Sequence, residues 1–194
     1  MGQEFELKYA ATEVQQEEIL AAYGPWQEIK METTYYDTPQ HTLSERHVTL
    51  RRRMENGSSI CTVKTPLSDN ARGEWECRCP DIQSALPLLH SQGAPDFVAR
   101  LAQGTLLPVC GARFTRRSCT IDLGDARIEL ALDRGVLLGG GREHPLCEIE
   151  AELKEGSRET LIRFAGSLAA AYGLQTEPRS KFRRAAALAE GETL

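Results

Sequence analysis

Several features are scarce in this 194-residue chain, and each absence excludes a class of protein. No run of about 18 apolar residues occurs, which argues against a membrane-spanning helix. Near the N-terminus Glu4 and Glu6 stand where a secretory signal needs a basic and then an apolar stretch. No C-x-x-C pair or histidine cluster has the spacing of a zinc site. We therefore expect a cytoplasmic protein whose cysteines are reduced.

The charge and composition narrow the class further. The chain carries 23 Lys plus Arg and 28 Asp plus Glu, and this net charge of −5 argues against a protein that coats nucleic acid. A hydrophobic fraction of 41% and a charged fraction of 26% are ordinary for a folded globular chain, so global disorder is excluded. The sequence contains no internal repeat and no long linker, and we expect one domain over 1–194.

The apolar residues recur mostly with a period of two, which indicates β-strands. Asn56-Gly57 and Gly124-Asp125 lie between predicted strands and indicate tight hairpins. Helices are expected where capping residues precede apolar residues at helical spacing. The predicted strands are 3–9, 33–37, 46–54, 59–65, 72–79, 113–122, 126–134 and 146–154, and the predicted helices are 12–23, 81–89, 96–103, 157–173 and 180–189. This pattern predicts an α+β fold dominated by antiparallel strands.

Nearly every predicted strand places two or three charges on one face, because successive side chains of a strand point to opposite sides. Glu148, Glu150 and Glu152 share a face, about 7 Å apart at a rise of about 3.4 Å per residue. Burying such faces in a dry core is prohibitively costly. The economical arrangement is a closed or nearly closed barrel with a polar lumen and helices packed on its apolar outer face. The inward charges would be acidic (Glu4, Glu6, Glu148, Glu150, Glu152) and basic (Lys8, Arg51, Arg53, Lys64).

Such a lumen suits a polyanion bridged by divalent cations. Arg and Lys side chains hold phosphate oxygens, and carboxylates are the hard oxygen ligands that Mg²⁺ and Mn²⁺ prefer. The expected ligand is therefore a small polyphosphate, with Mg²⁺ or Mn²⁺ as the cofactor.

Short motifs, taken in chain order, resemble those of the CYTH superfamily, also called triphosphate tunnel metalloenzymes. The resemblance extends from residue 3 to about 188. The motifs are E-x-E-x-K at 4–8, Y-Y-D-T at 35–38, L-R-x-R at 50–53, T-x-K at 62–64, R-x-E-x-E at 72–76, an arginine at 116, an L-D-x-G turn at 132–135, E-x-E-x-E at 148–152 and S-K at 180–181.

The resemblance implies an eight-stranded antiparallel β-barrel with a charged tunnel, in agreement with the analysis of strand faces. The motifs are most similar to those of the bacterial inorganic triphosphatases, and we expect a CYTH domain without the helical, histidine-rich CHAD domain that some relatives carry. The implied reaction is the Mg²⁺- or Mn²⁺-dependent attack of water on tripolyphosphate, which yields pyrophosphate and phosphate. We expect a small-molecule substrate, no nucleic-acid or membrane partner, and a monomer or homodimer.

The resemblance also implies roles for individual residues. Glu4 and Glu6, with Glu150 or Glu152, would hold the first metal, and Glu148 belongs to the same acidic face. The phosphate-binding residues would be Lys8, Arg51, Arg53, Lys64, Arg116 and Lys181. The residues that orient a second metal or the attacking water would be Glu74, Glu76 or Asp133.

Three alternatives remain open at this point. The first is a nucleoside or thiamine triphosphatase, and the second is a class IV adenylyl cyclase, which would have to hold the adenine base. The third is a non-enzymatic module that binds polyphosphate or nucleotide. Arg183 and Arg184 are interpreted as part of a solvated helix face, and Tyr35 as a packing residue.

Overall fold

The computed structural model describes the backbone of residues 2–67 and 72–194, and the side chains of 5–67 and 72–194. This part of the chain contains ten strands and five α-helices. The strands are β1 (Gly2–Glu4), β2 (Glu6–Ala10), β3 (Gln27–Asp37), β4 (Thr49–Glu55), β5 (Ser58–Pro66), β6 (Arg72–Arg78), β7 (Leu107–Asp122), β8 (Ala126–Gly139), β9 (Arg142–Gly156) and β10 (Gln175–Thr176). The helices are α1 (Glu13–Ala22), α2 (Ile82–Ser91), α3 (Asp96–Leu101), α4 (Arg158–Tyr172) and α5 (Lys181–Ala189).

All the described strands belong to one antiparallel sheet, in the order β1-β6-β5-β4-β3-β7-β8-β9-β2-β10. The first segment of the chain joins the two ends of this row, because β1 pairs with β6 whereas β2, which follows after Phe5, pairs with β9. Taken together, β1 and β2 form one interrupted strand of an eight-stranded tunnel, and β10 is a two-residue addition to β2. The predicted antiparallel tunnel fold is confirmed in this form.

Two apolar cores lie on the outer face of the sheet, each covered by two helices. The first lies between β4–β6 and the helices α2 and α3. The second lies between the strands β2, β8 and β9 and the helices α1 and α4. The buried side chains that join strand to helix include Val63, Trp75, Ala85 and Val98 in the first core and Ile128, Ile149, Ile19 and Leu161 in the second. None of the described helices is long and apolar enough to cross a membrane.

Helix α5 departs from the prediction that the helices pack outside. Its Ala185 and Leu188 join a third core with Tyr35, Leu137 and Leu146, whose side chains lie on the inner face of the sheet. A glycine permits this approach, since a Cβ atom on Gly139 would lie 2.4 Å from the carbonyl oxygen of Ala185. One end of the tunnel is therefore filled by α5.

The residues that were predicted to cap a helix and to form a hairpin turn adopt the expected local structures. Thr12 and Gln15 make a reciprocal capping box at the start of α1. Asn56 and Gly57 have φ angles of 46° and 88°, the left-handed conformations that a tight hairpin requires. The predicted turn at 132–135 is wrong, because this segment lies inside β8. Strands β3, β7 and β8 extend beyond the predicted bounds, since inward residues of the added segments, among them Met31, Ala112 and Leu137, are apolar and belong to the core that packs against α5. Strand β9 also begins earlier than predicted, at Arg142.

Candidate functional site

The strand register places the predicted site residues on one continuous inner face. Residues that are directly opposite on neighbouring strands point to the same side of a sheet. The opposed pairs on this face are Glu6–Glu152, Lys8–Glu150, Asp133–Glu148, Arg116–Asp133, Thr62–Glu76 and Lys64–Glu74. The side chain of Glu4 lies outside the described residues, and its role stays a prediction.

The inner face of β4–β6 is rich in cations, and we call it the cationic wall. Arg51, Arg53 and Lys64 lie on it with side chains that are 14–16% exposed. Glu74 lies between two of them, 3.6 Å from Arg51 and 3.5 Å from Lys64. Burial and the neighbouring Arg51 lower the pKa of Arg53. The described charges of this wall are Arg51, Arg53, Lys64, Arg72 and Arg78 against Glu55, Glu74 and Glu76, which leaves a positive excess.

A second group of charges lies across the tunnel, on β7–β9 and α5. Lys181 places its ammonium nitrogen 2.7 Å from Asp133 Oδ2 and 2.8 Å from Glu150 Oε1, and it also contacts Glu148. Arg116 donates two 2.7 Å hydrogen bonds to Asp133 and contacts Glu150, whereas Arg184 contacts Glu148. We call these six residues the neutral cluster, since they comprise three carboxylates and three cations: Asp133, Glu148, Glu150, Arg116, Lys181 and Arg184.

The pKa shifts show how strongly these charges are coupled. Burial disfavours the ammonium of Lys181, but the surrounding carboxylates outweigh it and raise the pKa of Lys181 well above its ordinary value. Burial likewise opposes ionisation of Glu150, but Lys181 and Arg116 hold the pKa of Glu150 well below its usual range. In the same way the carboxylates, Asp133 first, raise the pKa of Arg116 despite its burial. Lys181, Glu150 and Arg116 are therefore charged at neutral pH.

The acids Glu6 and Glu152 lie next to the neutral cluster and are more exposed. Their side chains are 26% and 23% exposed, whereas those of Asp133 and Glu148 are fully buried. Glu6 is 3.4 Å from Lys8, and Glu152 accepts a 2.7 Å hydrogen bond from Lys154. The exposure of the acids therefore increases along this side of the tunnel, from the buried and ion-paired Asp133 and Glu148 to Glu6 and Glu152, which water reaches.

The acids proposed to orient water lie in three different environments. Glu74 is partly exposed on the cationic wall, and Glu76 is exposed on the same face. Asp133 has no exposed surface, and both of its carboxylate oxygens are occupied by Arg116 and Lys181. Of the three, Glu74 is the acid that is partly exposed and also contacts cations of the cationic wall, Arg51 and Lys64.

The residues of the site fit a hard divalent cation in their chemistry. Carboxylate oxygens of Asp133, Glu148 and Glu150 all lie within 4.8 Å of one another, a spacing that suits a metal ion. The Nζ atom of Lys181, however, contacts all three residues. The adjacent pair Glu6 and Glu152, with Glu150, supplies a second set of the same ligand type.

Sequence reasoning missed Arg184, which had been interpreted as a solvated residue. It is 8% exposed, and its side chain lies against Glu148. A signal for it exists in the sequence, because Lys181, Arg184, Ala185 and Leu188 follow helical spacing and therefore share one face of α5.

Asp37 of the Y-Y-D-T motif is also buried. Its carboxylate accepts backbone hydrogen bonds from Thr38, Leu43 and Ser44, so it shapes the loop that leads into the cationic wall.

Comparison with solved structures agrees with this fold. A Hippeastrum protein, described as a candidate adenylyl cyclase that reveals a dominant triphosphatase activity, aligns with a TM-score of 0.68 at 18% identity, over 100% of this chain and 98% of its own. A protein from Pyrococcus horikoshii aligns with a TM-score of 0.66 at 23% identity, over 97% and 99% of the two chains. At these identities the likeness shows the fold alone.

Comparison of sequences gives the family. An inorganic triphosphatase from Haemophilus influenzae is 30% identical over 192 residues, which covers 95% of this chain and 54% of that protein. The chain thus spans about half the length of this relative. The family model of the CYTH domain matches residues 2–186. The chain therefore belongs to the CYTH family.

Proposed function

We propose that this protein hydrolyses triphosphate groups with the help of Mg²⁺ or Mn²⁺, and that its substrate is inorganic triphosphate. The observation that carries the proposal is the pairing of two unlike walls across one tunnel. The cationic wall carries an excess of positive charge, and the acids Glu6, Glu150 and Glu152, which differ in their exposure to water, lie on the opposite side. The function named for the Haemophilus relative is of the same kind.

The cations of the tunnel would neutralise and orient the phosphate oxygens. Arg51 and Arg53 alternate along β4 and Lys64 follows on β5, so three donors reach the interior from neighbouring strands. Guanidinium groups bind two phosphate oxygens at once, whereas an ammonium acts as a point charge. Lys8 would extend this contact from the acidic side. Phosphoryl transfer requires mainly positioning and charge neutralisation, which this arrangement supplies.

Glu6, Glu150 and Glu152 would hold the divalent cation, together with Glu4 if its predicted role is correct. A bound divalent cation withdraws charge from the phosphate oxygens and offsets the repulsion between substrate and acids. Glu74 is the acid that we assign to the attacking water. It is partly exposed and contacts Arg51 and Lys64, so it would hold a water molecule beside the bound terminal phosphate.

The choice of an inorganic substrate rests on the inner aromatic residues. Tyr35 and Phe114 are 3% and 7% exposed, and Tyr35 packs against Phe182 of α5 at 5.1 Å between ring centroids. Trp75 belongs to the outer core. Within the described residues, the tunnel therefore presents no exposed aromatic ring on which an adenine or thiamine ring could stack. We expect the substrate to be free in the cytoplasm and the enzyme to be a monomer or homodimer.

A substrate panel tests this function. The purified protein is incubated with tripolyphosphate, ATP or thiamine triphosphate, each with Mg²⁺, Mn²⁺ or EDTA, and phosphate release is measured. Metal-dependent release from tripolyphosphate alone is the expected result. Cyclic AMP formed from ATP would identify a cyclase, faster release from ATP or thiamine triphosphate would identify another triphosphatase, and tight binding without turnover would identify a binding module.

The metal ligands can be tested in the same assay. Glu150→Gln and Glu4→Gln should abolish turnover, because each removes a carboxylate oxygen from the metal while preserving side-chain size. Thermal unfolding of both variants shows whether they are folded. Near-normal activity of either folded variant would contradict its assignment as a ligand.

A further inference from the structure

The Asp133–Glu148–Glu150 group has the spacing of a metal site but already contains a cation. The ammonium nitrogen of Lys181 lies 2.7 Å from Asp133 and 2.8 Å from Glu150, and it contacts Glu148 as well. Lys181 therefore occupies the position that a divalent ion would take between these carboxylates.

We propose that Lys181 is the resident cation of this group, and that Asp133 and Glu148 position Lys181 and Arg116 instead of binding metal. Asp133 and Glu148 are thus positioning residues, not ligands. The kinetic consequence rests on the proposed triphosphatase function, but the charge and geometry do not.

The charge balance of the neutral cluster supports this assignment. Its three carboxylates face three cations, and the buried Asp133 and Glu148 contact Arg116, Lys181 and Arg184, so these two acids have no spare negative charge for a metal ion. A dication added to this buried group would be uncompensated, and burying an unpaired charge is strongly unfavourable. Glu6 and Glu152 are more exposed, and a metal there keeps part of its water shell.

The structure also fixes the cluster from both sides. From outside the sheet, the buried amide of Gln16 donates hydrogen bonds of 3.1 Å and 3.0 Å to the backbone oxygens of Asp133 and Glu148. From inside, Ser180 caps α5 and Arg184 contacts Glu148 one turn beyond Lys181. The carboxylates and the ammonium are therefore held by different elements, and neither is free to move away alone.

Glu150 forms the boundary between this cluster and the metal. One of its oxygens accepts from Lys181 and the other contacts Arg116, and its side chain is slightly exposed. Lys181 and Arg116 are partly exposed as well, at 10% and 14%. The buried acids thus hold two cations at the edge of the tunnel, where they would meet the phosphate chain.

Counting bound metal ions tests the proposal without any substrate. Mn²⁺ binding is titrated by the electron paramagnetic resonance signal of the free ion, for the wild type, Lys181→Met and Arg183→Met. Lys181→Met leaves three carboxylates around a vacant position, and we expect it to bind one more Mn²⁺ than the wild type. Arg183 is an exposed cation on the same helix and serves as the matched control, with unchanged stoichiometry. A folded Lys181→Met that gains no Mn²⁺ would overturn the proposal.

Glu148→Gln provides a second, near-isosteric test. We expect its Mn²⁺ affinity to stay within about threefold of the wild type, while KM for tripolyphosphate rises about tenfold or more because Lys181 loses an anchor. A tenfold loss of Mn²⁺ affinity would instead make Glu148 a metal ligand. If the protein hydrolyses no triphosphate, the proposed function fails, but the Mn²⁺ measurements still decide the role of Lys181.

Discussion

The two charged walls of the tunnel are built from the same residue types but differ in charge balance and in contact with water. On the cationic wall five cations, Arg72 and Arg78 included, face three acids, and Arg51, Arg53 and Lys64 remain partly exposed. In the neutral cluster the α5 residues Lys181 and Arg184 are matched by carboxylates that are buried between α5 and the sheet. The excess positive charge lets the cationic wall bind a ligand anion, whereas the cations of the neutral cluster are held in place by their matched carboxylates and reach the tunnel at its edge.

This comparison is tested most directly by removing one cation from the cationic wall. Arg51→Ala should lower kcat/KM for tripolyphosphate by about 10- to 100-fold, because a hydrogen bond to a charged group contributes about 1.5–3 kcal/mol. Steady-state kinetics measures the effect. The matched control is Arg52→Ala, since Arg52 donates to the carbonyl oxygen of Pro80 and points away from the tunnel. An equal loss of kcat/KM in Arg52→Ala would contradict the assignment of Arg51 to the tunnel side of β4 and of Arg52 to its outer side.

Displacing α5 from the sheet should disrupt the neutral cluster. Gly139→Val places side-chain atoms where Ala185 and Ala189 lie, at 2.4 Å and 2.7 Å from the Cβ position, so α5 must shift. We expect the free energy of unfolding to fall by about 1–3 kcal/mol in urea titrations. KM for tripolyphosphate should also rise, because α5 carries Lys181.

Gly166→Ala in α4 is the control for that substitution. No atom lies within 4 Å of its Cβ position, and alanine is favoured over glycine in a helix by about 0.5–1 kcal/mol. The control should therefore be slightly stabilised. Unchanged stability in Gly139→Val would mean that α5 does not require this close approach.

Two buried thiols, one near each wall, allow the two walls to be tested separately by chemical labelling. The change in labelling is expected to be the smallest of these effects. Burial raises the pKa of Cys61, behind the cationic wall, and of Cys110, beneath α5, to about 12 in each case. Neither thiol should react with iodoacetamide at pH 8 in the native protein, as read by mass spectrometry. Gly139→Val should expose Cys110 and leave Cys61 protected. Simultaneous labelling of both thiols would indicate global unfolding instead.

The same thiols give a pH dependence of stability. Their folded pKa values exceed the ordinary value of 9.0, so the unfolded chain loses these protons first as the pH rises. The stability that they contribute is complete below about pH 9 and declines as the pH rises toward 12. Urea titrations of the wild type against Cys61→Ala at pH 7 and pH 10 measure it. A stability gap between the two proteins that does not narrow at pH 10 would contradict the shift.

Much of the fold followed from local patterns. The alternation around Glu148, Glu150 and Glu152 indicated which residues face inward, and the capping box at Thr12 located the start of α1. Helix α5 was predicted as a helix, but its arginines were interpreted as solvated, and its helical spacing is what places Arg184 on the same face as Lys181. Met31 and Leu137 face inward but are apolar, so the charged alternation stops short of them, and the strands that contain them were predicted too short.

The order of residues along the chain was enough to assign the faces of the strands and to indicate the family, because both depend on residues that are close to one another in the chain. Which charges are matched became clear only from the folded structure. Lys181 and Glu150 are 31 residues apart. The S-K motif predicted that Lys181 meets phosphate, but not that its ammonium contacts Asp133, Glu148 and Glu150. The charge state and accessibility of a side chain depend on the neighbours that folding brings to it, and α5 reaches these acids only because it packs inside the sheet.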